Sequence, residues 1–123
     1  MALEANSTFI PVPISRLNAK TDVIRYVGYS EPVFSQLAER RRVLFFEASW
    51  CATCKESDQN LATNTDKIPN NVTVFKVNFD TATDLKKQYG VTAQNTFVQV
   101  DAQGTPVATW NGGGVTELLA NLK

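Results

Sequence analysis

The chain has 123 residues, 43% of them hydrophobic and 20% charged, with 12 basic and 12 acidic side chains and no formal net charge. That length supports one domain with a buried core, and the charge balance offers no field of one sign for nucleic acid or an anionic membrane. Histidine is absent, which excludes hydrolysis by a histidine-activated serine or cysteine, and no apolar run reaches the length of a membrane span.

The opening Met1-Ala2-Leu3-Glu4-Ala5-Asn6 has neither a basic nor an apolar region and does not read as an intact signal peptide. It fits a cytosolic start, and equally a segment left after a signal or anchor was removed. Residues 1 to about 20 read as extended and irregular. In Phe9-Ile10-Pro11-Val12-Pro13-Ile14 the two prolines oppose regular ladder pairing. Val23 to Val27 predicts a strand ended by Gly28. Ser30-Glu31-Pro32 predicts a helix entry, with Phe34, Leu37 and Ala38 following at helical spacing. Arg40-Arg41-Arg42 reads as the solvated end of that helix.

Val43 to Ala48 is β-prone and largely apolar, as in a strand covered on both faces. A helix is expected from Cys51 to about Asp66, broken by Ile68-Pro69-Asn70-Asn71. Val72 to Phe79 predicts a strand, Thr81 to Tyr89 a helix closed by Gly90, and Thr96 to Val100 a strand. Asp101 to Gly104 turns the chain into a hairpin partner over Thr105 to Trp110. Gly112-Gly113-Gly114 reads as a flexible break before a short helix carrying Leu118, Leu119 and Leu122. The order β-α-β-α-β-α-β-β-α implies an α/β fold with a mixed sheet.

The two cysteines, Cys51 and Cys54, are the only ones in the chain and stand two residues apart in Trp50-Cys51-Ala52-Thr53-Cys54-Lys55. Thiols at that spacing can close a small, reducible disulfide. At a helix start the unpaired N–H groups and partial positive charge favour a thiolate. The combination is suited to dithiol–disulfide exchange.

With these residues in place the chain resembles the thioredoxin superfamily over roughly residues 30 to 122. The resemblance rests on the run Phe45 to Lys55, on Val77-Asn78-Phe79-Asp80, on Tyr89-Gly90-Val91 and on the Asp101 to Gly104 turn. Cys54-Lys55-Glu56 and the acid at Asp58 look most like the bacterial extracytoplasmic branch, including the soluble domain of the DsbD-type electron transporters. Three positions depart from the family pattern. Asn95 stands where a cis-proline is usual, and a non-proline residue there favours a trans peptide. Phe45 stands where ordinary thioredoxins carry a buried aspartate. Ala52-Thr53 replaces the usual dipeptides between the cysteines.

The resemblance implies a thioredoxin-like domain over residues 30–123 behind an N-terminal extension, 1–29, that holds an extended segment and a possible edge strand. It implies a monomeric protein-disulfide oxidoreductase acting on protein thiols and disulfides, with no cofactor beyond the Cys51–Cys54 pair, in an extracytoplasmic setting or alternatively in the cytoplasm. Cys51, at the helix start, is expected to attack, and Cys54, one turn along and more enclosed, to resolve the mixed disulfide.

No histidine is available to take the proton of Cys54. By the i, i+3, i+7 rule Asp58 shares a helix face with the cysteines. Glu47 alternates with Val43 and Phe45 onto one side of its strand. Both are candidates for proton transfer. Trp50, Ala52, Thr53, Asn95 and Thr96 are the candidate substrate groove, where family members pair substrate by β-augmentation. Lys55 either favours the thiolate by its charge or is simply exposed. Three other readings stay open: a purely structural disulfide, a redox-inactive partner-binding module, and a metal-handling protein. The last has only two thiolates and no histidine to complete a site.

Overall fold

The computed structural model describes residues 24–123, which form a five-stranded mixed sheet between two pairs of helices. The strands are β1 (Tyr26–Gly28), β2 (Arg41–Glu47), β3 (Val72–Asn78), β4 (Thr96–Val100) and β5 (Pro106–Asn111), in the order β1-β3-β2-β4-β5. The first three run parallel, and β4 and β5 join antiparallel. The helices are α1 (Glu31–Gln36), α2 (Ala52–Thr63), α3 (Thr83–Tyr89) and α4 (Val115–Asn121), with a 3-10 turn at Thr65–Lys67. The sequence expectations for residues 1–23 lie outside the described residues.

Strand alternation sorts the apolar side chains of the central strands onto two faces. Leu44, Phe46, Phe75, Val77, Val98 and Val100 point to one face, where Phe34 of α1 and Leu85 and Tyr89 of α3 cover them. Val43, Phe45, Val72, Val74 and Phe97 point to the other, under Leu61 of α2 and Val115 and Leu118 of α4. Phe45, Phe97 and Trp110 sit on neighbouring strands in register. Their rings stack nearly parallel, with centroids 4.4 and 5.4 Å apart. Phe45 is therefore a core ring at the place where the resemblance led one to look for a carboxylate.

Two local expectations are corrected. The helix after the cysteines stops at Thr63 rather than near Asp66. Thr63 Oγ1 donates to Gln59 O at 2.8 Å and Asn64 Nδ2 to Asn60 O at 2.7 Å, so side chains compete at the last turn and end it. The arginine triplet is not a solvated helix end, because Arg41 and Arg42 belong to β2. Arg42 is 3% exposed. Its guanidinium lies over the Phe34 ring and donates to Phe34 O at 2.9 Å and Asp101 O at 2.6 Å, joining α1 to the β4–β5 turn. Arg40 donates to Thr73 Oγ1 and Val72 O of β3.

Candidate functional site

The central strand β2 runs out at Glu47, and the chain turns through Ala48-Ser49-Trp50 into α2. Cys51 is the N-cap residue of that helix, with extended backbone, and its Sγ accepts the Cys54 N–H at 3.1 Å. Cysteine thus occupies the position where Ser, Thr or Asp usually satisfies an orphan donor. Cys51 and Cys54 are joined as a disulfide across a Cα–Cα distance of 5.2 Å. Cys54 is fully buried and Cys51 is 4% exposed. Ala48 and Phe79 supply the apolar packing. Thr53 Oγ1 lies 3.3 Å from the Cys51 sulfur, while Ala52 and Lys55 are exposed. Trp50 is 60% exposed, and its indole N–H is held by the Asp80 carboxylate at 2.9 and 3.1 Å.

Asp58 lies one turn beyond Cys54, beside the buried stripe of Cys54, Ser57 and Leu61. Its Oδ1 accepts from the Tyr26 hydroxyl at 2.6 Å and pairs with Lys76 Nζ at 3.3 Å. Asp58 is thus tied to β1 and β3 rather than left in solvent. Glu47 is half-buried at the end of β2 and reaches Tyr26 electrostatically. Burial, then the hydrogen bond to Asp58, pushes the Tyr26 hydroxyl far above the ordinary tyrosine range. Sequence reasoning named Asp58 and Glu47 but missed Tyr26 and Lys76. Lys76 did carry a signal, as the one charge within an otherwise apolar or neutral strand.

Asn95 has φ +62°, and no described peptide bond is cis. Its N–H donates to Phe46 O at 2.7 Å, and its carbonyl accepts from Gly112 N at 2.8 Å. Both main-chain groups of Asn95 are therefore engaged inside the domain. Its side-chain Oδ1 accepts from Ser57 Oγ at 3.2 Å, linking the loop to α2. A polar groove of about 410 Å³ runs between Thr53, Glu56 and Ser57 on one side and Asn95, Asn111 and Gly112 on the other. Of the residues named from the sequence, Thr53 and Asn95 line this groove, while Trp50 and Ala52 are exposed beside the cysteines and Thr96 is buried next to Asn95. The Thr96 hydroxyl is turned back to Ala93 O at 2.7 Å.

Gly112-Gly113-Gly114 is not a loose break. A side chain at Gly114 would collide with Asn60 and one at Gly113 with Glu117. Asn60 Oδ1 accepts the first N–H of α4, from Val115, at 2.8 Å, and Glu117 Oε1 accepts Gly114 N–H at 2.9 Å. The run lets α2 cap α4. Among the described residues no group of three or more His, Cys, Asp or Glu side chains is arranged to hold a metal ion, and no helix is long and apolar enough to cross a membrane.

A mixed sheet in this order, with a dithiol pair opening the helix that follows its central strand, defines the thioredoxin-like fold. The chain belongs to the thioredoxin family: residues 27–123 match the family model described as Thioredoxin. Thioredoxin H2 of Arabidopsis thaliana is 35% identical over 69 residues, covering 54% of this chain and 51% of that protein. The chain thus matches about half the length of that curated relative. Among solved structures, Trxlp from Edwardsiella tarda superposes with a TM-score of 0.64 at 26% identity, over 76% of this chain and 93% of that one. Fasciola hepatica thioredoxin gives 0.63 at 29% identity, over 73% and 85%.

Proposed function

We propose that this chain is a thiol–disulfide oxidoreductase that passes two electrons from the Cys51–Cys54 dithiol to disulfides of protein partners. One observation carries the reading. Cys51 caps the N-terminus of α2 with its sulfur 3.1 Å from a backbone N–H, an arrangement that stabilises a thiolate.

In the reduced form the Cys51 thiolate attacks one sulfur of the partner disulfide. The partner S–S bond breaks and its other sulfur leaves as a thiolate. Cys54 then loses its proton and attacks the Cys51 sulfur. The Cys51–Cys54 disulfide forms, and the second partner sulfur leaves and is protonated. Asp58, one helical turn from Cys54, is the proposed proton acceptor. Side chains four apart on a helix have Cβ atoms within about 6 Å, a gap one water spans. A dithiol donor returns the two electrons. The reductant direction and an extracytoplasmic setting follow the likeness carried by Cys54-Lys55-Glu56 and Asp58.

Reduction of a protein disulfide by metal-free protein, fed by a dithiol donor, tests the proposal. The parent chain should turn over and Cys51→Ser should not, while Cys54→Ser should accumulate the mixed disulfide. A potential near about −270 mV supports the reductant role, and one near about −120 to −180 mV overturns it. Failure of the parent chain to turn over would favour a partner-binding module.

A further inference from the structure

Two donors from the sheet converge on a single carboxylate oxygen beneath the redox helix. The Tyr26 hydroxyl on β1 is 2.6 Å from Asp58 Oδ1, and Lys76 Nζ on β3 is 3.3 Å from the same atom. Tyr26 pairs with Val74 and Lys76 with Phe45 in the parallel registers of β1–β3 and β2–β3. The tyrosine ring packs against the cluster of Val43, Phe45 and Leu61 that α2 covers, so its hydroxyl reaches Asp58 from the sheet and not from solvent. Tyr26 also precedes the stretch 27–123 that matches the family.

We infer that Tyr26 is a positioning residue for disulfide exchange: its hydroxyl, with Lys76, holds Asp58 against the sheet, one turn beyond Cys54, where the carboxylate takes the proton Cys54 must lose. The inference rests on the oxidoreductase reading and deepens it. The thiol proton passes to the carboxylate. The Cys54 sulfur bonds to the Cys51 sulfur, the bond from Cys51 to the partner breaks, and the departing thiolate takes up a proton.

The charged and titratable groups around Asp58 are Tyr26 from β1, Glu47 from β2 and Lys76 from β3, with Lys55 and Glu56 exposed on α2 itself. The tyrosine keeps its proton because burial, then the neighbouring carboxylates, push its pKa far above the ordinary tyrosine range and suppress its ionisation. It therefore acts as a one-way donor to Asp58. The Asp58 side chain is 33% exposed, which lets water reach the far side of the carboxylate.

The test uses the chain with Cys51 held as a mixed disulfide with thionitrobenzoate, whose coloured thiolate is released when Cys54 attacks. Release is followed against pH for the parent, Tyr26→Phe, Asp58→Asn and the double variant. Tyr26→Phe is expected to slow release about tenfold near neutrality, a partial loss of the roughly 10²–10⁴-fold that a correctly placed general base supplies. It should change the pH profile and add nothing in the Asp58→Asn background. Alkylation of Cys51 in the reduced protein should be unchanged. Release within twofold of the parent at every pH would overturn the inference, as would effects of the two substitutions that multiply. If Tyr26→Phe fails to fold, Lys76→Gln reads the same carboxylate through its other donor. It should slow release and lose that effect in Asp58→Asn, and a rate equal to the parent's would again overturn the inference. Because release needs no protein substrate, it separates failure of this inference from failure of the parent to reduce protein disulfides.

Discussion

Restoring the family's proline at position 95 should damage this chain. Asn95 sits at φ +62°, whereas a proline ring fixes φ near about −65°. Its N–H donates to Phe46 O at 2.7 Å, and proline has no such donor. The backbone mismatch and lost donor cost about 3 kcal/mol or more. The same lost bond leaves the buried Phe46 carbonyl without its partner, which accounts for about 1–3 kcal/mol of that cost. The expected loss for Asn95→Pro is therefore about 3 kcal/mol or more, a large part of the roughly 5–15 kcal/mol that holds a typical domain. Two further substitutions calibrate it. Asn95→Gly keeps the left-handed backbone free of strain and loses mainly the Ser57 contact, about 1 kcal/mol. Asn95→Ala adds about 1–2 kcal/mol for a Cβ at positive φ. Equilibrium unfolding in urea, followed by far-ultraviolet circular dichroism, should rank the losses glycine, alanine, proline. A proline variant within about 1 kcal/mol of the parent would refute the reasoning, since it would mean that Asn95's own N–H and φ do not fix the loop.

Tyr26 should make the fold sensitive to alkali. Its folded pKa lies above the ordinary value of 10.0, so its stabilising contribution is whole below about pH 10 and is lost as pH rises beyond it, at up to about 1.4 kcal/mol per pH unit. Urea unfolding from about pH 9 to about pH 11 should show a shallower decline for Tyr26→Phe than for the parent, and equal slopes would contradict this. Arg42→Ala should cost about 2–4 kcal/mol, because it removes two charge-assisted hydrogen bonds between α1 and the β4–β5 turn. Arg42→Lys should recover only part of that, lacking the fork that reaches both carbonyls. Thermal unfolding of the three proteins side by side checks the order.

The central strands were legible because Val43 to Phe46 is apolar throughout and Val72 to Phe75 is β-branched or aromatic and apolar but for Thr73, as suits a sheet covered on both faces. The dithiol pair was legible from spacing alone, and helical periodicity placed Asp58 on its face of α2. What periodicity could not supply was the partner across the gap. Tyr26 and Lys76 meet Asp58 only because β1 and β3 pair in one particular register, and register is a tertiary property. The arginine triplet misled for a related reason. Its charge suggests solvent, but the guanidinium groups bind main-chain carbonyls supplied by distant segments. The end of α2 was misplaced because a few side-chain bonds to helix carbonyls decide it, and such competition is weakly written in composition. The Ala52-Thr53 dipeptide is exposed, and nothing in its geometry explains the absence of the usual pair.

The glycine run before α4 bears on how this chain tolerates change. Gly-rich segments ordinarily behave as flexible coils with few packing constraints. Here the side chains of Asn60 and Glu117 occupy the space a Cβ would need at Gly114 and Gly113. The same Asn60 sits on the helix that begins at the disulfide. Drift at Gly114 would press on the redox helix itself and drift at Gly113 on α4, while Gly112 is held by its positive φ rather than by a neighbour, so a stretch that looks replaceable is constrained at each position for a different reason.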